Sequence, residues 1–238
     1  MSAPMDLAPA ISFNRDNFAA LLEERGITTD QVNTRDGDPF SEMNLIRRAI
    51  TQARTSVPHI YRNAVATLPE TLTWITALVD DARAHQKRRD AITPVISRGR
   101  SLLLLGPTGV GKTHQAYGTV RRLAVTGVSA VWVATSSADL YAALRPRNGV
   151  DSETEFRRYA HARLLLVDDL GAAKATEWTE EINFRLVNHR YENQLPTLFT
   201  SNVMPKELSA RLGDRVASRL TEMCDRAVIT GNDRRRAA

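Results

Sequence analysis

The fold of this chain is decided by the stretch Ser101-Leu102-Leu103-Leu104-Leu105-Gly106-Pro107-Thr108-Gly109-Val110-Gly111-Lys112-Thr113. An apolar strand runs into a G-x-x-x-x-G-K-T loop, and a helical pattern from Gln115 to Leu123 follows at once. That order distinguishes a phosphate-binding loop from a chance match of the motif. Its glycines let backbone N–H groups converge on phosphate oxygens, where a Cβ would block the approach. The sequence therefore predicts that the chain binds a nucleoside triphosphate.

Nine consecutive residues of the loop and the helix start are the predicted nucleotide-binding residues: Gly106, Pro107, Thr108, Gly109, Val110, Gly111, Lys112, Thr113 and His114. Lys112 is expected to be a solvent-facing loop residue that supplies a point charge to the phosphates. The Thr113 hydroxyl is placed to ligate Mg²⁺. The helix that starts near Gly111 adds the positive end of its dipole.

A second candidate element is Leu164-Leu165-Leu166-Val167-Asp168-Asp169, an apolar strand that ends in paired acids. A Walker B element needs a buried strand of this kind, which delivers carboxylates at its C-terminal edge. Asp168 is expected to hold Mg²⁺ through water, and Asp169 to orient or deprotonate the attacking water. Alone, the pattern is often only a strand end with a turn, but together with the phosphate loop it indicates a functional site.

Two further candidates follow along the chain. Residues 196–202 form a third strand ending in Asn202, whose amide can hydrogen-bond the γ-phosphate or the attacking water. An asparagine there is also common as a cap. Arg211, Arg215 and Arg219 are spaced four apart and would share one helix face. Such a stripe is usually solvated surface, and its functional alternative is an arginine finger that reaches a neighbouring subunit's triphosphate.

The length of 238 residues fits one large α/β domain, or such a domain with a small appendage. Cys224 is the single cysteine, which excludes an internal disulfide framework and suits a reducing cytoplasm. No stretch approaches membrane-spanning length, so no membrane partner is expected. A net charge of +5 mildly suggests a polyanionic partner, although a solvated basic surface with the run Arg234-Arg235-Arg236 explains it as well.

Upstream of the loop, residues 1 to about 12 lack periodicity and are expected to form a loose tail. Asp16 can cap a short helix that Gly26 stops, and an amphipathic helix is expected from about Ser41 to Arg54. The residues predicted to be buried are Phe18, Leu21, Leu22, Leu45, Ile46, Ala49 and Ile50. Residues 1–56 either pack on the main domain or dock on another protein, and their position outside the nucleotide motifs favours docking.

The main domain is expected to span residues 57–238. Pro58 and Pro69 bracket a linker, and Pro69 starts a helix that extends to about Lys87. From residue 101 onwards strands alternate with helical patterns, which is the signature of a parallel α/β sheet. The candidate strands are residues 101–105, 129–134, 163–167, 197–201 and 226–230.

Several blocks of the sequence together resemble one family. The blocks are GPTGVGKTH at 106–114, LLVDDLGA at 165–172, RYEN at 190–193, LFTSN at 198–202 and LGDRVASRL at 212–220. In this order and spacing they resemble the DnaC/IstB branch of the AAA+ ATPases, in particular DnaC-like replicative helicase loaders. The upstream VPHIYR at 57–62 is similar to a short segment that precedes the ATPase core of these loaders. The resemblance covers about residues 57 to 236.

The resemblance implies an α/β AAA+ P-loop domain, with a five-stranded parallel sheet between helices and a small helical N-terminal extension. By position, Arg219 resembles the arginine finger and Arg215 its accompanying arginine. Asp168 and Asp169 take the Walker B positions, and Asn202 takes the sensor-1 position. A helical lid domain is expected to be missing, because the sequence stops soon after GND at 231–233. This departure makes weak hydrolysis, stimulated by DNA or a partner, the expectation.

The cofactors implied by the resemblance are ATP and Mg²⁺. The implied partners are a hexameric replicative helicase, bound through the N-terminal extension, single-stranded DNA, and further copies of the chain in an open ring or spiral. A cytoplasmic protein of a bacterium or phage is expected. The candidate DNA surface is residues 135–158, with Arg145, Arg147, Arg157, Arg158, Tyr141 and Phe156. Such aromatic residues are more often core than stacking platforms.

Three functions remain open at this point. The leading one is a helicase-loading ATPase, and the second is an IstB-like accessory ATPase of DNA transposition, which shares nearly all core motifs. The third is a metabolic P-loop kinase, which would need an acceptor-binding lid and has no use for Arg215 and Arg219. ATP turnover that is accelerated by single-stranded DNA, without a small-molecule acceptor, would reject the kinase.

Overall fold

The computed structural model of the protein describes residues 10–34, 36–147, 149, 151–231 and 233 of the 238. Most of the predicted loose tail lies outside these residues, as does the run Arg234-Arg235-Arg236. No helix within the described ranges combines the length and the apolar character that crossing a membrane requires.

The described elements before residue 101 are helical, and from there onwards strands alternate with helices. The helices are α1 (Phe18–Glu23), α2 (Thr29–Asn33), α3 (Glu42–Ser56), α4 (Pro69–Arg89), α5 (Lys112–Ala124), α6 (Ser137–Leu144), α7 (Ser152–Ala160), α8 (Glu177–Glu192), α9 (Leu208–Leu212) and α10 (Asp214–Met223). The strands are β1 (Ser101–Leu105), β2 (Trp132–Ser136), β3 (Leu164–Asp168), β4 (Thr197–Ser201) and β5 (Cys224–Val228).

The five strands form one parallel sheet in the order β2-β3-β4-β1-β5. This confirms the predicted α/β class with a five-stranded parallel sheet. The bounds of two strands were wrong by two or three residues. The segment predicted as 129–134 begins only at Trp132, because Ser129 forms an isolated bridge with Val95 instead. The segment predicted as 226–230 begins at Cys224, which pairs with Ser101 directly after α10 ends.

The two faces of the sheet bury alternate residues of each strand, as a period of two requires. Leu102 and Leu104 belong to a core that contains α3, α4 and α5. Leu103 and Leu105 belong to a second core, which contains α6 to α8 and α10. Because both faces are covered, β1 is apolar from Leu102 to Leu105, and this is why its sequence reads as a run of four leucines after Ser101.

The N-terminal helices pack on the main domain. Phe18, Leu22, Ile46 and Ile50 share one core with the sheet and with α5. The sequence left packing and docking open and favoured docking. The structure shows packing, because one hydrophobic core contains residues from both sides of residue 56. The predicted division of the chain into parts 1–56 and 57–238 stays a prediction.

The buried face of α3 differs from the expected one. Leu45 and Ala49 are only half-buried, whereas Arg47 is fully buried. The Arg47 guanidinium donates to the carbonyl oxygen of Thr34 at 3.0 Å and to the Asn44 side chain at 2.9 Å. The hydrophobic pattern missed this residue, because a buried guanidinium is stabilised by carbonyl oxygens from the end of a neighbouring helix, which periodicity does not report.

The linker between Pro58 and Pro69 lies directly on α5. Arg121 of α5 donates to the carbonyl oxygen of Ala64 at 2.7 Å. A Cβ at Gly118 would collide with the linker backbone at Val65 and Ala66, so the close approach depends on this glycine. The contact fixes the residues just before it, 59–61, beside the start of α5.

Candidate nucleotide-binding site

The strand order brings three predicted motifs together. In a parallel sheet the carboxyl ends of the strands lie at one edge, and β4 lies between β1 and β3. The loop after β1, the acids after β3 and the asparagine after β4 therefore meet at one cavity of about 530 Å³. Its lining residues are Ile60, Tyr61, Thr108, Gly109, Gly111, Lys112, Thr113, His114, Asp169 and Asn202.

The phosphate loop has the conformation that its glycines permit. Gly111 precedes α5 with φ of 100°, a left-handed conformation that a side chain would strain. A Cβ at Gly106 would collide with the carbonyl oxygen of Ile229, which follows β5. Gly106, Pro107 and Val110 do not line the cavity, and Val110 is buried beneath the loop with 2% exposure. These three predicted nucleotide-binding residues therefore shape the loop rather than its cavity wall.

Lys112 is not the solvent-facing loop residue that the sequence suggested. It is the first residue of α5 and is 5% exposed. Its ammonium donates to the carbonyl oxygens of Gly106 at 2.8 Å and of Pro107 at 2.9 Å. The lysine therefore closes the loop on itself and is also one of the residues that line the cavity. A buried ammonium needs such oxygen partners.

Thr113 and Asp168 meet across the site. The Thr113 hydroxyl lies 3.1 Å from both carboxylate oxygens of Asp168. Burial raises the pKa of Asp168 despite the hydrogen bonds from Thr200 and Thr113, and the neighbouring charge of Asp169 adds to the rise. A hydroxyl and a carboxylate are the hard oxygen donors that Mg²⁺ prefers. The pair therefore fits the predicted magnesium site.

Asp169 and Asn202 lie on the cavity wall opposite the loop. Asp169 is exposed and has a positive φ of 55°, while Asp168 before it is half-buried. Asn202 is also exposed and follows the last residue of β4. The two consecutive acids thus have different surroundings: Asp168 contacts the hydroxyl groups of Thr113 and Thr200, whereas Asp169 lines the cavity, which suits the separate roles expected of them.

Ile60 and Tyr61 form a wall of the cavity to which the sequence assigned no role. The Ile60 side chain is 81% exposed. The Tyr61 ring stacks on Tyr117 of α5 with centroids 4.9 Å apart and an angle of 16°. Burial, with the charge of Asp168 nearby, raises the pKa of Tyr117 to about 12. The sequence feature that could have indicated this wall is the VPHIYR segment at 57–62, which contributed only to the family resemblance.

The arginines lie elsewhere, on α9 and α10. Arg211 lies on α9, which Gly213 separates from α10, so the expected single stripe is broken into two helices. Arg215 stacks on the Phe184 ring at 3.5 Å, and Arg219 on the Tyr191 ring at 4.4 Å. Neither lines the cavity of its own chain.

The Arg219 guanidinium has two further polar neighbours. It donates to the Asn188 side chain at 3.3 Å and lies 3.8 Å from the Glu222 carboxylate. Glu222 in turn accepts a hydrogen bond of 2.6 Å from the Tyr191 hydroxyl. The structure therefore places both arginines on the rings of α8, and Arg219 is held by polar groups in addition.

The rings of the candidate DNA surface belong to the core. Tyr141 and Phe156 are each 7% exposed, and the Tyr141 hydroxyl donates to Asn183 at 2.8 Å. Arg157 and Arg158 each lie within 4 Å of a glutamate of their own helix, at 3.7 and 3.6 Å. The interpretation of these aromatic residues as core is confirmed, and they are not available to stack on bases.

A sequence family described as IstB-like ATP-binding protein matches residues 73–237, which is more than half of the chain. The chromosomal replication initiator protein DnaA of Microcystis aeruginosa is 36% identical over 125 residues, 50% of this chain and 27% of that protein. The replicative helicase loader DnaI of Bacillus subtilis is 32% identical over 114 residues, 47% of this chain and 36% of the loader.

An ATP-binding protein of insertion sequence IS21 from Pseudomonas aeruginosa is 27% identical over 131 residues, 55% of this chain and 48% of that protein. The chain thus spans about half or less of the length of these three relatives. A crystal structure of the DnaC helicase loader matches with a TM-score of 0.58 at 24% identity, covering 73% of this chain and 100% of that chain. At this identity the match shows a shared fold.

Proposed function

This chain belongs to the family of IstB-like ATP-binding proteins, and we propose that it is an ATPase that loads a replicative helicase onto single-stranded DNA. ATP binding and hydrolysis would act as the switch of its assembly. The relatives named for helicase loading and for replication initiation support this proposal. The observation that carries the ATPase part is the single cavity shared by Lys112, Thr113, Asp169 and Asn202.

The residues of the cavity divide the chemical work. Lys112 and the backbone N–H groups of the loop bind the triphosphate. Asp169 accepts the proton of the attacking water, and Asn202 orients that water. Thr113 and Asp168 would hold Mg²⁺, which when bound draws charge from the phosphate oxygens. The exposed side chain of Ile60 offers an apolar surface to the base.

The proposed site is completed by a second copy of the chain. Arg215 and Arg219 lie on the surface of α10, outside their own cavity. We propose that Arg219 reaches the γ-phosphate held by a neighbour and that Arg215 accompanies it. Such contacts would generate an open ring or spiral, because the surface that carries the arginines differs from the surface that holds ATP.

The N-terminal helices are the proposed docking surface for a hexameric helicase. Because they share the core of the main domain, deleting them would uncover apolar residues and confuse loss of docking with loss of stability. A charge reversal at the exposed Glu23 and Asp30 avoids this problem. We expect the variant to keep its melting temperature and to lose co-migration with the helicase on size exclusion.

The direct test combines turnover and loading. Phosphate release should accelerate when single-stranded DNA is added. A purified hexameric replicative helicase should become bound to circular single-stranded DNA only when this protein and ATP are both present. Turnover without any response to DNA, together with no helicase transfer at any protein concentration, would contradict the proposal.

The accessory ATPase of transposition stays the second candidate. The specific observations that favour it are the IS21 relative, 27% identical over 131 residues, and the family model, which is described as IstB-like. A transposase encoded beside this chain, and stimulation of ATP turnover by that transposase rather than by a helicase, would decide for this function.

A further inference from the structure

The end of strand β4 lies between the two strands that carry the nucleotide motifs. Leu104 and Leu105 of β1 pair with Thr200 and Ser201 on one side, and β3 pairs with β4 on the other. Thr200 and Ser201 are both fully buried. Buried hydroxyl groups require hydrogen-bond partners, so the partners of these two residues show what the strand end holds.

The Thr200 hydroxyl contacts both acids that follow β3. It donates to the Asp168 carboxylate at 2.6 Å and accepts the backbone N–H of Asp169 at 2.9 Å. A hydroxyl has a single hydrogen, and that of Thr200 is donated to Asp168. The Thr200 oxygen accepts its hydrogen bond from Asp169. One buried side chain therefore orients the Asp168 carboxylate and fixes the backbone of its neighbour.

The same strand end holds the turn that presents Asp169. The N–H of Leu170 donates to the Thr200 carbonyl oxygen at 2.8 Å, and the Ser201 hydroxyl donates to the Leu170 carbonyl oxygen at 2.6 Å. Asp169 has a left-handed backbone, which costs a residue with a side chain conformational energy. These two contacts, together with the hydrogen bond from the Asp169 N–H to the Thr200 hydroxyl, hold the turn in that conformation.

Asp168 is held from two sides that differ in kind. Thr113 approaches from the phosphate loop and is itself a candidate ligand for Mg²⁺. Thr200 approaches from the buried side and lies outside the cavity lining. The hydrogen bond from Thr200 is therefore the contact that orients this carboxylate from within the sheet, independently of the loop.

We propose that Thr200 is a positioning residue of the ATPase site, which orients Asp168 for Mg²⁺ and holds Asp169 toward the cavity. The inference rests on the proposed ATPase function and goes beyond it, since the groups proposed to contact nucleotide and water do not include Thr200. It assigns a reason to the threonine of the LFTSN block at 198–202, whose asparagine alone had a role from sequence.

The test compares Thr200→Val, which removes the hydroxyl at nearly constant shape, with Thr200→Ser, which keeps it. We expect valine to raise the Mg²⁺ concentration for half-maximal binding of a non-hydrolysable ATP analogue, and to lower kcat, each roughly 10- to 100-fold. Affinity for the analogue without Mg²⁺ should stay unchanged, because Thr200 lies outside the cavity. Serine should restore both values. If the Thr200→Val variant does not fold, Thr200→Ala replaces it and should show the same two changes.

Thr197→Val is the matched control, because Thr197 is equally buried at the other end of β4. Its hydroxyl accepts a hydrogen bond of 2.6 Å from Arg190, far from the cavity. It should lower the melting temperature and leave the Mg²⁺ response intact. The proposal is overturned if Thr200→Val responds to Mg²⁺ like the wild type, if serine fails to rescue, or if Thr197→Val shifts the response equally. A wild-type protein that binds no analogue would instead overturn the ATPase function itself.

Discussion

On the phosphate-loop side of the molecule, Lys112, Thr113 and Asp168 are joined to their surroundings by hydrogen bonds of 2.6 to 3.1 Å. On the arginine face, which we define as the surface of α8 and α10 around Arg215 and Arg219, the guanidinium groups lie on the rings of Phe184 and Tyr191. On one side the charged groups converge on a cavity, and on the other the guanidinium groups of α10 stack against rings of the neighbouring helix α8.

This difference indicates where the chemistry of one chain ends. We propose that the groups that bind phosphate, hold a cation and activate water come from the carboxyl edge of one sheet. Among the described residues that line this cavity there is neither Arg215 nor Arg219, so we infer that a cation for the far side of the γ-phosphate is supplied by another copy. Binding and assembly-dependent turnover should therefore respond to different variants, and the predictions below separate them.

The largest effect is expected for Lys112→Ala. It removes the ammonium that we propose binds the phosphates and that links two loop carbonyl groups, so ATP binding should fall below calorimetric detection. Lys206→Ala, an exposed cation outside the cavity, is the control and should bind normally. The melting temperature of Lys112→Ala must also be measured, because the lysine is buried. Unchanged ATP affinity would remove the loop from the site.

Arg219→Ala should lose the ATP turnover that depends on assembly of several copies of the chain. Since an arginine supplied in trans contributes about 10³-fold or more to turnover, hydrolysis should collapse while ATP binding to the monomer persists. Arg211→Ala on α9 is the matched exposed control. Mixing Arg219→Ala with Lys112→Ala protein should restore some activity. No recovery at any ratio, with both variants folded, would mean that Arg219 does not act across subunits.

Asp169→Asn should slow hydrolysis by about 10²-fold and leave ATP affinity unchanged, because an amide is a poor base. Asparagine tolerates the left-handed backbone at this position, so the turn should persist. Asp90→Asn is a matched control, since Asp90 is also exposed and has φ of 51°. Single-turnover phosphate release measures the effect, and equal rates would exclude Asp169 as the base.

The smallest effect is expected for Glu222→Gln. The hydrogen bond from Tyr191, with Arg219 nearby, holds the pKa of Glu222 below its usual value, so this carboxylate is charged at neutral pH. Neutralising it should release Arg219 and lower the protein concentration for half-maximal turnover by about twofold, as exposed ion pairs are weak. Glu181→Gln, at an exposed glutamate of α8, is the control. An increase in that concentration would show that Glu222 presents the arginine rather than restrains it.

The sequence alone determined the parts of this protein that short windows encode. The apolar run before Gly106, the glycine spacing of the loop and the acids after Val167 each specify local structure by periodicity and turn chemistry. These motifs predicted a parallel sheet, and the structure brings them to one cavity. The prediction that Arg211, Arg215 and Arg219 share one helix face was wrong for Arg211, because Gly213 breaks the helix between Arg211 and Arg215.

Only the tertiary structure decided which side chains meet. Asp168 contacts Thr113 and Thr200, which lie 55 and 32 residues away in the chain. The buried guanidinium of Arg47 likewise depends on carbonyl oxygens at the end of a neighbouring helix, such as that of Thr34. A local pattern records whether a residue is apolar and how it repeats. The partner that makes a buried polar group stable comes from the strand order and from the packing of neighbouring helices, which only the folded chain establishes.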